Sequence, residues 1–215
     1  MLSTTGWTER AGSILERLGA YRAYLHVRDH NPSNRLPYHN WTHLCHVVVN
    51  SHRGAEHYAL PARDQANLAV AGIFHDYDHS GGVTDDQQNV DRAIANFQEW
   101  SSTQSHPTWD DAEVELLIRT TQWPPVVDPI SITQKIMRDA DLMENGLDTW
   151  EELIMNGVRF ELEVKEGVPI TLEDMKRRQV EYHRGVQWNT AWGRRFAREH
   201  IWPILDQLDK PAESM

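Results

Sequence analysis

Leu68-Ala69-Val70-Ala71-Gly72-Ile73-Phe74-His75-Asp76-Tyr77-Asp78-His79-Ser80-Gly81-Gly82 is an apolar run that ends in a cluster of ionisable side chains and a glycine pair. Leu68, Val70, Ala71 and Phe74 lie behind Pro61, a residue suited to a helix start. The pattern reads as a helix that stops at His79-Ser80-Gly81-Gly82. The apolar stretch 68–74 is far shorter than the ~20 residues a membrane span needs. At the helix end, His75 and Asp76 together offer one nitrogen and one carboxylate to a divalent cation, and the carboxylate can bridge two ions.

Working outward, the same helical spacing recurs. Towards the N-terminus, Ile14, Leu15, Leu18, Tyr21 and Leu25 place a helix over 7–29, and Asn31-Pro32-Ser33-Asn34 breaks it. A second helix begins near Asn40 and carries Leu44, Val47 and Val48 towards Tyr58. Towards the C-terminus, helices are expected at 86–100, at 110–122 (ended by Pro124-Pro125), and at 131–144, 148–165, 171–185 and 190–208. Thr171 with Asp174, just after Pro169, has the form of an N-cap. Alternating runs of the β type are scarce. The expectation is an all-α, compact single-domain bundle of eight or nine helices over 1–215.

The 215 residues are 40 % apolar and 25 % charged, a globular composition. Residues 1–10 mix Ser, Thr, Trp and charge, unlike the apolar core of a signal peptide, and Cys45 is alone. A soluble cytoplasmic protein is the expectation. With 21 basic and 32 acidic residues the net charge is −11. Such a surface repels long nucleic acids, yet it leaves room for a small anionic substrate, because bound cations reverse the local field.

There are twelve histidines. In Tyr38-His39-Asn40-Trp41-Thr42-His43, positions 39 and 43 are four apart, so on a helix their imidazoles share one face, with His46 roughly on it as well. Asp139-Ala140-Asp141 is a third cluster. A lone histidine on a helix is ordinarily a surface or satisfied core residue, which is the reading for His26, His30, His52, His57, His106, His183 and His200. Asp139, Asp78 and Asp148 read as solvated or capping residues. Arg159, Lys176, Arg177, Arg194 and Arg195 are candidates for phosphate contact but read first as a solvated face, and Trp41, Trp123 and Trp192 are candidates to stack on a base but read chiefly as core.

The order His43, His75-Asp76, Asp141 resembles the HD superfamily of metal-dependent phosphohydrolases. Tyr38-His39-Asn40-x-x-His43 is similar to a signature of cyclic-nucleotide phosphodiesterases, as are the stretch from Phe74 to Gly81 and Ala140-Asp141-Leu142. Val158-Arg159-Phe160-Glu161 and Trp192-Gly193-Arg194-Arg195-Phe196 look more like small bacterial HD hydrolases. The resemblance covers roughly 35–196. It implies that His43, His75, Asp76 and Asp141 ligate one divalent metal ion, and that Asp76 bridges to a second ion held mostly by water. Mixed nitrogen and oxygen ligands suit Mn, Fe, Co, Ni or Zn, and Mg suits the water-rich second position.

By the same resemblance, His39 is the general acid, kept protonated by a carboxylate neighbour, and His79 stands beside the attacking hydroxide. The implied activity is hydrolysis of a nucleotide-like phosphodiester or phosphomonoester by a metal-bound hydroxide. This chain departs from the phosphodiesterases at His46, where they carry Asp, and lacks their Glu-Asn-His-His stretch. Gln122 stands near where some HD proteins carry further metal-binding histidines. Two alternatives are an HD-fold di-iron oxygenase and a non-catalytic module that senses a nucleotide through its metal cage.

Overall fold

Asn40 sets the start of the central helix. Its side chain accepts the amides of Thr42 (2.9 Å) and His43 (3.2 Å), a cap worth about 1 kcal/mol. Helix α3 therefore runs Trp41–His57 with His43 in its first turn. The structure is a computed structural model and describes residues 4–105 and 107–209; His106 lies outside them.

The described residues form ten helices, two single-turn 3-10 helices (Pro32–Arg35 and Met143–Gly146) and no strand. Before α3 come α1 (Thr4–Arg17) and α2 (Tyr21–His30), and after it α4 (Ala62–Phe74), α5 (Asp86–Ser101), α6 (Asp111–Arg119) and α7 (Ile132–Leu142). Helix α8 starts as a π-helical stretch, Glu151–Val158, and continues through Arg159–Glu166. Helix α9 is Leu172–Gly185, and α10 runs Ala191–Phe196, Ala197–Ile201 and Trp202–Leu208 without a break. The all-α expectation stands, with one more helix than expected.

The extra helix comes from Gly19, which divides the segment read as one helix over 7–29. Gly19 adopts φ +74°, a left-handed conformation that ends helices, and the Ala20 amide closes the turn on the Leu15 carbonyl at 2.7 Å. Thr171 does cap α9, accepting the Asp174 amide.

Helix α3 packs against α4, α1 and α7. The shared core includes Leu44, Val47 and Val48 of α3, Leu68, Ile73 and Phe74 of α4, and Ile136 and Met137 of α7. Full burial of such a side chain contributes roughly 1.5–3 kcal/mol. Phe74 is packed by Phe97 and Trp100 of α5. At Gly72 the backbones of α4 and α3 nearly touch, since a Cβ there would lie 3.2 Å from the Val48 nitrogen. That close approach brings the end of α4 beside the start of α3.

The turn after α4 is pinned from the breaker cluster. Asn31 accepts the Asp78 amide at 2.9 Å, and the Ser33 hydroxyl donates to the Asp76 carbonyl at 3.0 Å. A second, smaller core joins Ile154 and Met155 of α8 to Ile170 and to Met175 of α9, with Tyr38 and Leu162 at its edge. No described helix is long and apolar enough to cross a membrane.

Candidate metal centre and its flanking histidines

Four side chains from three parts of the chain converge. His43 comes from the first turn of α3, His75 and Asp76 from the end of α4, and Asp141 from the last turn of α7. His43 Nε2 lies 3.2 Å from His75 Nε2, 3.3 Å from Asp76 Oδ2 and 3.2 Å from Asp141 Oδ1; His75 Nε2 lies 3.0 Å and 3.4 Å from the same two oxygens. Ligand atoms held ~2.1 Å from one ion stand ~3.0 Å apart at right angles and ~3.4 Å apart at the tetrahedral angle. Every one of these separations falls in that range.

The donor chemistry also fits a cation. The His75 Nδ1–H donates to the Gly72 carbonyl at 2.9 Å, which fixes the tautomer and leaves Nε2 to ligate. Burial alone would favour neutral imidazoles, but the Asp76 and Asp141 carboxylates outweigh it and push His75 up to about 10; His43 is likewise raised well above its usual value. Without an ion, the carboxylates can be balanced only by protons on two imidazoles that face each other. A divalent cation removes that conflict, and among the described residues His43, His75 and Asp141 form one of the groups able to hold one.

Behind the ligands stands Glu144, a buried carboxylate that the sequence reading missed. It accepts from the Thr149 hydroxyl (2.6 Å) and from His46 Nδ1 (2.5 Å), and it approaches His43 Nδ1 at 3.7 Å. Burial opposes its charge, but His46 and His43 prevail and hold its pKa down at about 2. His46 is thus turned to Glu144 behind the ligand set.

His39 precedes α3 and is not on it, so the shared-face argument for positions 39 and 43 does not hold as stated. The Asn40 cap instead brings the two rings to a centroid separation of 6.2 Å. Glu161 of α8 holds His39. One carboxylate oxygen accepts the Tyr38 (2.8 Å) and His39 (3.1 Å) amides, and the other accepts His39 Nδ1–H. Burial disfavours the imidazolium, yet Asp76 and Glu161 together raise the His39 pKa.

His79 stacks on His39 at 3.4 Å between ring centroids. The Gly81 amide (3.1 Å) and Asn89 Nδ2 (2.8 Å) face its two nitrogens. Burial, with the neighbouring His39 charge, pushes its pKa down to about 3.

Asp139, expected to be solvated or capping, is fully buried on the far side of α7 from Asp141. Its oxygens accept the amide and side chain of Asn189 (2.8 and 3.0 Å) and the amide and hydroxyl of Thr190 (2.8 and 2.7 Å), at the start of α10.

A cleft of about 520 Å³ opens beside Asp141 and is lined by Gln122, Trp123, Tyr182 and Arg194 among others. Arg194 and Trp123 thus line the cleft beside Asp141, against the expectation of a solvated face and a core ring. Lys176 and Arg177 pair with Glu173 and Asp174, Arg159 pairs with Glu163, and Trp192 is buried. Comparison with family models, curated proteins and solved structures returns no match. The residues themselves carry the reading that follows.

Proposed function

We propose that this chain is a metal-dependent phosphohydrolase of the HD type, acting on a nucleotide-like phosphate ester. The observation that carries the reading is the convergence of two imidazoles and two carboxylates beside a histidine held by its own carboxylate. A bound divalent ion supplies Lewis-acid charge and brings the pKa of a coordinated water to ~7.

The protein groups do the rest. His43, His75, Asp76 and Asp141 hold the ion and orient one another. Glu161 fixes His39 through Nδ1, so that Nε2 is the atom that gives its proton away. In hydrolysis the oxygen of water forms the new bond to phosphorus and gives up a proton to solvent, the ester P–O bond breaks, and the leaving oxygen takes the His39 Nε2 proton, which solvent then restores. Acid help of this kind is typically worth about 10²–10⁴ in rate. His79, neutral and stacked beneath, supports the His39 ring.

The test is an assay on metal-stripped protein with bis-p-nitrophenyl phosphate and p-nitrophenyl phosphate, adding back Mn²⁺, Co²⁺, Ni²⁺, Zn²⁺ or Mg²⁺. Activity returns with metal, is lost together with metal content in Asp76→Ala, and falls about 10²–10⁴-fold with metal retained in His39→Ala. Full activity in Asp76→Ala overturns the reading. One observation favours the di-iron alternative: His39, His79 and Glu161 form a second group able to hold an ion. Iron-dependent oxygen uptake, with neither ester hydrolysed, would decide for it.

A further inference from the structure

The cleft beside Asp141 is cationic in an acidic protein. Lys135, Arg138 and Arg194 line it, against the carboxylates of Asp128 and Asp141, and Asp141 is claimed by the metal in the reading above. Arg138 is spent on the loop that carries Gln122 and Trp123, donating to the carbonyls of Thr120 (2.8 Å) and Val127 (2.7 Å). Arg194 donates to the Trp188 carbonyl at 3.1 Å, a neutral partner that leaves its charge uncompensated. By contrast, Arg177, Arg178 and Arg184 on α9 all pair with carboxylates.

Two further features mark the cleft as built for a ligand. Gln122 is 6 % exposed and its Oε1 has no hydrogen-bond partner, although a buried acceptor left unpaired costs about 1–3 kcal/mol. Trp123 is 44 % exposed and packs edge-on against Tyr182, so a large aromatic face is left to solvent at the mouth. Unpaired cations, an amide in need of a donor and an open aromatic ring together describe a planar, hydrogen-bonding group that carries negative charge.

We infer that the substrate carries a second anionic group besides the phosphate at the metal, and that Lys135 and Arg194 receive it while Trp123 stacks on the planar part. This rests on the phosphohydrolase reading for the position of the first phosphate. The cleft then selects nucleotides with a second anionic group over simple monophosphates, because an anion that meets Lys135 and Arg194 gains charge-assisted hydrogen bonds that a neutral group cannot make.

The experiment measures binding. His39→Ala, loaded with Mn²⁺, is titrated calorimetrically with adenosine 5′-monophosphate and with adenosine 3′,5′-bisphosphate, which differ only in the second anion. His39→Gln replaces the alanine variant if the latter loses its helical circular dichroism. The expected result is that the bisphosphate binds on the order of tenfold more tightly. Adding Lys135→Ala or Arg194→Ala removes most of that advantage, Arg194→Lys restores part of it, and Arg195→Ala, a neighbouring cation outside the cleft lining, leaves it intact.

Equal affinities, no binding of either nucleotide, or an advantage that survives the double substitution of Lys135 and Arg194 would overturn the inference. The two readings fail separately. Ester hydrolysis without a bisphosphate preference sinks only the second-anion site. A preference abolished by Arg194→Ala, in a protein that hydrolyses neither ester, sinks only the hydrolase.

Discussion

Replacing Asp139 by Ala should strongly destabilise the protein while sparing the proposed metal ligands. The carboxylate is fully buried and accepts four hydrogen bonds from Asn189 and Thr190. Alanine leaves two backbone amides without acceptors, each costing about 1–3 kcal/mol where water cannot reach. The Thr190 amide is buried and takes the full cost; the Asn189 amide, at the edge, takes less. Adding the lost hydroxyl and side-chain amide bonds gives roughly 3–5 kcal/mol, a large part of the ~5–15 kcal/mol that stabilises a domain.

Urea denaturation followed by far-ultraviolet circular dichroism measures this directly: the midpoint falls while the slope is unchanged. Asp139→Asn should lie between wild type and alanine, because its amide nitrogen would face two donors. Gly193→Ala attacks the same contact from the other side, since its Cβ would lie 2.2 Å from Asp139 Oδ2. Metal bound per folded molecule should not change in Asp139→Ala. A loss under 1 kcal/mol, or loss of metal without loss of stability, would refute this account.

Glu161→Gln should move the alkaline limb of the rate profile to lower pH, because the carboxylate that helps raise the His39 pKa is gone; an unmoved limb would show that Glu161 does not hold that proton. Metal uptake at pH 7 should release about two protons per ion, from His43 and His75, whose metal-free pKa values are raised. Calorimetry in buffers of different ionisation enthalpy reads the number, and affinity should rise with pH through neutrality. Glu144→Gln should weaken metal binding by removing the negative charge 3.7 Å behind His43 Nδ1, measured by equilibrium dialysis. It should also flatten the acid limb of stability: a carboxylate held down at about 2 stabilises the fold above its ordinary 4.5, and that contribution is lost as pH falls between the two values.

The parts of this site legible in the sequence are those whose chemistry is concentrated in short stretches. His75-Asp76 at the end of an apolar helix and His43 three residues after a capping Asn announce themselves, since local spacing fixes where those side chains sit. Asp141 was visible only because it follows the same order. Glu161 stood out only as the end of the stretch Val158–Glu161, with no role attached, and Glu144 left no mark. One lies on an amphipathic helix and the other in the short 3-10 turn after α7, and only tertiary packing distinguishes either from a solvated carboxylate. Asp139 was misread for the same reason, because helical phase places it opposite Asp141 but does not reveal that α10 covers that face. The Gly19 break was readable in principle, as a glycine following Leu18, yet the apolar period continues across it and hid the boundary.

His39, the proposed acid, and the proposed metal ligands do not belong to the same packing unit. His43, His75 and Asp141 stand on helices of the large core, whereas His39 is tied by Glu161 to α8, which rests with α9 on the small cluster of Ile154, Met155, Ile170 and Met175. Small cooperative units open at lower free energy than the whole fold. A transient detachment of α8 and α9 would therefore release His39 from Glu161 while the ion stayed in place. The resting ensemble would then contain a loaded but idle form, and its population would be set by those four apolar side chains, not by anything that touches the substrate.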